Sequence, residues 1–123
     1  MPKSRMNRAL MRKVADKLDS LRGERTKLWD QGDFIATTHC GTAHCIGGWA
    51  IVIDGKHAKK LERWNELAKY GYRFSPWRTA QRLLGITPTE SHVLFSGDFM
   101  WGATPRHVAA RLREFACKGR VEP

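Results

Sequence analysis

Thr42-Ala43-His44-Cys45-Ile46-Gly47-Gly48-Trp49-Ala50-Ile51-Val52-Ile53-Asp54-Gly55 is the stretch on which the fold turns. Thr42 can cap a helix, and Gly55 can close it in a left-handed conformation. From His44 to Ile53 the run is apolar on almost every side, and a helix of that kind belongs in the middle of a core. Gly47 and Gly48 each lower helix propensity by about 1 kcal/mol, a cost that close approach of another backbone would offset. The β-branched Ile51-Val52-Ile53 also suits a buried strand over Trp49–Ile53, which is the competing reading.

The flanks supply helices to pack on this element. Met6, Leu10, Val14, Leu18 and Leu21 fall at spacings of four and three, which predicts an amphipathic helix over 4–21 ending at Gly23. Residues 23–39 have no period and read as a loop anchored by Trp29 and Phe34. A helix is expected over 57–70, with Leu61, Trp64, Leu67 and Ala68 inward. Ser75-Pro76, Thr87-Pro88 and Thr104-Pro105 each place a hydroxyl cap before a proline suited to the first helical position. Thr87-Pro88-Thr89-Glu90 also has the form of a capping box. Gly85, Gly97 and Gly119 provide the stops, giving short helices near 76–84, 88–96 and 105–117. With no convincing strand pair, the expectation is an all-α, compact single domain over 1–123. It has about six short helices around a buried, Gly-Gly-containing central one, with 1–3 and 119–123 as flexible tails.

A chain of 123 residues, 41% of them hydrophobic, can build one core. No run approaches the roughly 20 apolar residues of a membrane span. The Met1-Pro2-Lys3-Ser4-Arg5 start lacks the apolar region of a signal peptide, so a cytoplasmic location is expected, where cysteines are usually reduced. The net charge of +10 is unevenly spread. Residues 1–27 hold nine Lys/Arg against three acids and residues 56–82 hold eight against two, while 28–55 and 83–105 are slightly acidic. A field of this sign favours polyanions, nucleic acid or an acidic protein face. A solubilising surface is the plainer alternative.

Three clusters carry the excess: Arg5, Arg8, Arg12 and Lys13; Lys56, Lys59, Lys60 and Arg63; and Arg73, Arg78 and Arg82. Trp64, Tyr70, Tyr72, Phe74 and Trp77 lie among them. Basic residues interleaved with aromatics suit phosphate contact with base stacking, although each aromatic also suits a core. Thr79–Thr87 followed by the helix from Pro88 evokes a helix-turn-helix around Gly85. Gln81 stands where a small residue is wanted and Ser91 where an apolar one is. The second helix has no Lys or Arg, so an ordinary helical hairpin fits better.

His39-Cys40-Gly41-Thr42-Ala43-His44-Cys45 gathers four soft-metal ligands: His39, Cys40, His44 and Cys45. Adjacent His-Cys pairs point apart, and zinc ordinarily draws on two separated pieces of chain. His57, His92, His107 or Cys117 could complete such a site, but no spacing supports it. Alternatively Cys45, in the first turn of the central helix, could be a reactive thiolate. Cysteine hydrolases need a remote His held by a third group, and none is identifiable here. The third reading packs Cys40 and Cys45 as small apolar residues or joins them in a disulfide. No catalytic set and no cofactor is expected.

Cys40-Gly41-Thr42-Ala43-His44-Cys45-Ile46-Gly47-Gly48, then Leu83-Leu84-Gly85-Ile86-Thr87-Pro88-Thr89-Glu90 and Leu94-Phe95, resembles a family of small bacterial and phage proteins. Its members carry a CGTxxC-[IL]-[AG]-G segment followed by an LLGLTPEE…LF-like segment. The resemblance covers roughly 38–116 and implies a compact helical domain of phage or prophage origin, with no activity attached. Lys56–Tyr72 looks like a longer, more basic insertion. The functional expectation is a basic cytosolic accessory protein that binds nucleic acid without strong sequence specificity. The alternative is a phage-type modulator docking on an acidic host protein, a defence or transcription component, and a thiol- or zinc-dependent enzyme is the third.

Overall fold

The computed structural model describes residues 6–21, 36–38, 41–43, 45–63, 75–95 and 103–122. These hold helices α1 (Arg8–Asp19), α2 (Ile46–Asp54), α3 (Ala58–Glu62), α4 (Pro76–Leu84), α5 (Pro88–Phe95) and α6 (Pro105–Lys118). Two three-residue strands, β1 (Ala36–Thr38) and β2 (Gly41–Ala43), pair antiparallel with Thr37 opposite Thr42. The domain is all-α, with six helices among the described residues.

The caps explain most of the boundaries. Ser75, Thr87 and Thr104 each accept a hydrogen bond from the backbone N–H three residues on. At α5 the box is reciprocal: Thr87 Oγ1 accepts from Glu90 N–H at 3.1 Å, and Glu90 Oε1 from Thr87 N–H at 2.9 Å. Gly55, Gly85 and Gly119 close α2, α4 and α6 with φ of 84°, 63° and 76°. Any side chain at these positions would be strained.

α2 is a helix rather than a strand, and Ile46 through Ile51 are all buried, including Gly47 and Gly48. Val52 and Ile53 lean on the same core from its edge. α1 and α6 make the most extensive contact between elements, and α2 packs against α1 and α4. Phe115, Met11, Leu18, Ile46, Ile51, Leu61, Leu84, Leu94 and Leu112 are fully enclosed.

Several expectations are corrected. Thr42 does not cap α2, because it lies in β2; Cys45, itself extended, occupies the cap position without a side-chain cap bond. The expected loop over 23–39 contains β1, a stretch whose threonines suit extended backbone. α1 starts at Arg8 rather than residue 4, since Asn7 Oδ1 accepts from Leu10 N–H and fixes the helix start. α3 ends at Glu62, and the remainder of the 57–70 expectation, with Trp64, Leu67 and Ala68, lies outside the described residues. So do Gly23, Trp29, Phe34 and Gly97. The segment after α6 is tied down: Val121 is 8% exposed, and its N–H donates to Glu90 Oε2 at 2.6 Å.

At one end of the molecule three helix termini meet. Asn7 N–H donates to Leu84 O at 2.7 Å and Asn7 Nδ2 to Leu83 O at 3.3 Å, satisfying carbonyls left over at the end of α4. The Arg8 guanidinium lies over the end of α6, 3.5 Å from Cys117 O, and a Cβ at Gly119 would collide with it. A cation at a helix C-terminus is favourable.

Candidate functional site

The basic residues divide by what they meet. Arg111, Arg113 and Lys118 on α6 and Arg120 just beyond it are held by acids. Arg113 bridges to Asp16 at 2.9 Å and to Asp19 at 3.5 Å, tying α6 to α1. Arg111 pairs with Glu114, Lys118 with both Glu114 and Glu122, and Arg120 with Glu122. Arg111 also lies over the Phe115 ring at 4.8 Å, and Lys17 over Trp49 at 5.0 Å.

This network leaves its mark on titration. Glu114 is held below the usual glutamate range by hydrogen bonds from Arg111 and then Lys118, and Glu122 by Arg120 and then Lys118. A depressed folded-state pKa stabilises the fold above the unfolded value and stops doing so as pH falls through the folded one. The network therefore lets go only at acid pH. Lys118→Met should raise both carboxyl pKa values, read by NMR titration of the two side-chain carboxyl carbons. Unchanged values would show that Lys118 is not shared.

Seven other basic residues have no acid partner among the described residues. Arg12 and Lys13 on α1, Lys56 before α3, Lys59 and Lys60 on α3, and Arg78 and Arg82 on α4 are exposed. None of them makes an ion pair among the described residues. Arg63 is exposed at the end of α3. Of the sequence-derived set, Arg8 is turned to the end of α6, while Arg5 and Arg73 lie outside the described residues. Arg12 and Lys13 stand on the outer side of α1, and Arg78 and Arg82 on the outer side of α4, so each cluster has its own ridge.

Of the aromatics lying among the basic clusters, Trp77 is described, and it is half-buried against the core. Trp77 Nε1 donates to Ser91 Oγ at 3.0 Å, and its ring meets the edges of His92 and Phe95 at centroid distances of 5.2 and 5.4 Å. Trp77 thus joins α4 to α5 instead of offering a stacking face. Trp64, Tyr70, Tyr72 and Phe74 lie outside the described residues.

The cysteine segment reads differently once placed. Cys45 is 2% exposed and sits one residue before the first turn of α2, buried against the core. A nucleophile for an external substrate would need access that this thiol lacks. Cys117 is an exposed free thiol on α6. His39, Cys40 and His44 lie outside the described residues. Among the described residues no three His, Cys, Asp or Glu side chains gather as a metal site, and no helix is long and apolar enough to cross a membrane.

Compared with family models, curated proteins and solved structures, the chain matches none.

Proposed function

We propose that this chain binds nucleic acid through phosphate contacts, without strong sequence specificity. One observation supports the reading above others. The acids described on α1, α6 and the segment beyond them are spent on Arg111, Arg113, Lys118 and Arg120, which leaves Arg12, Lys13, Lys56, Lys59, Lys60, Arg78 and Arg82 without an ion pair among the described residues. Such cations on short capped helices suit a polyanion, since each phosphate they neutralise releases counterions. The second helix of a helix-turn-helix would be expected to present Arg, Lys, Asn or Gln to base edges in the major groove, whereas α5 carries Glu90 and no Lys or Arg.

The test is fluorescence anisotropy at low salt with two duplexes of equal length and unrelated sequence. The reading expects affinities within a few-fold of each other. No binding to either, or a strong preference for one, would contradict it. The same charge serves the second reading, a modulator docking on an acidic host protein. Capture of one acidic protein from nuclease-treated lysate, with no nucleic-acid binding at low salt, would favour that reading.

A further inference from the structure

α4 carries Arg78 and Arg82 one turn apart, about 6 Å along the axis, both exposed and neither ion-paired among the described residues. Like charges at this spacing repel. Arg78 also lies in the first turn, where the helix dipole disfavours a cation, and no acid accompanies it there. Arg8, another first-turn arginine, is compensated by the carbonyl end of α6. Nothing described in the fold compensates Arg78.

The ridge is also rigid. Ser75 and Gly85 cap α4 at its two ends, and its inner side is fixed by Trp77 and Gln81 bonding the same Ser91 hydroxyl. The two side chains that could stack on bases or bond their edges, Trp77 and Gln81, are thereby turned towards α5. What faces outward is a pair of arginines whose backbone positions are held one turn apart. Single-strand binders add aromatic platforms to their cations, and among the described residues this ridge has none.

Building on the nucleic-acid reading, we infer that Arg78 and Arg82 form a phosphate-contacting ridge for the regular backbone of a duplex. The test compares Arg78→Gln/Arg82→Gln with Arg111→Gln/Lys118→Gln. Each double variant lowers the net charge by two, from +10 to +8, so only position distinguishes them. Binding to a duplex and to a single strand of the same length is followed by anisotropy across a salt series, with circular dichroism confirming that both variants are folded.

The ridge variant should bind duplex about tenfold or more weakly at low salt, and its log K against log salt slope should be shallower by about 1.8, roughly 0.9 per lost phosphate. The control should keep the wild-type slope. An unchanged slope in the ridge variant, or an equal change in both, overturns the assignment. Tighter wild-type binding to the single strand overturns the duplex. A wild type that binds neither overturns the nucleic-acid reading itself, a result distinct from failure of the ridge.

Discussion

Phe115→Ala is expected to lower the stability of the fold by about 3–5 kcal/mol. Phe115 is fully enclosed and lies in the inward stripe of α6 with Val108, Ala109, Leu112 and Ala116. α6 packs on α1 more extensively than any other pair of elements pack together. Truncation removes the transfer free energy of the ring and leaves a cavity that the neighbouring helices close only in part. It also removes the ring that Arg111 covers. Since domains of this size are stable by only about 5–15 kcal/mol, urea unfolding should show a large drop in midpoint. A loss below about 1 kcal/mol would mean that the α1–α6 interface is not the main support of the fold.

Ser91→Ala should cost about 1–3 kcal/mol, more than an exposed serine could. The Ser91 hydroxyl is fully buried. It accepts from Trp77 Nε1 and lies within donating distance of Gln81 Oε1 at 2.9 Å and Pro88 O at 2.8 Å. Removing it strands the indole N–H and the Gln81 amide, half-buried between α4 and α5. In a double-mutant cycle, Gln81→Ala should cost less in the Ser91→Ala background than in the wild type. Additive costs would show that the two side chains do not act together.

This pair shows what the sequence does and does not disclose. As a helix-turn-helix pattern, Gln81 and Ser91 are two separate misfits, a polar residue where a small one is wanted and another where an apolar one is. In the structure they bond each other, so each misfit explains the other. Single-position pattern reading cannot see this, because the partner lies ten residues away on the next helix. By contrast, the starts at Ser75, Thr87 and Thr104 and the stops at Gly55, Gly85 and Gly119 were legible because a cap is a local device. Its chemistry lies within four residues.

The start of α2 was less legible. Thr42 is a good cap in isolation, but the pairing of Gly41–Ala43 with Ala36–Thr38 claims its backbone, and these three-residue strands lack the alternating apolar pattern by which a strand is read from sequence. The segment after α6 was hidden for a similar reason. Only the fold brings Val121 beside Glu90, a carboxylate already identifiable as the capping residue of α5. For the candidate site, the number of cations was plain in the sequence. Which of them are spent was not, since Arg113 finds Asp16 from across 97 residues of chain.

Salt dependence tests the central claim most directly. Binding of the wild-type protein to a random-sequence duplex is measured at several salt concentrations and plotted as log K against log salt. Phosphate binding by the unpaired cations predicts a straight line, with affinity falling about a hundredfold or more between 50 and 200 mM, the response to roughly four or more phosphates. A flat line, or no binding even at the lowest salt, would contradict it.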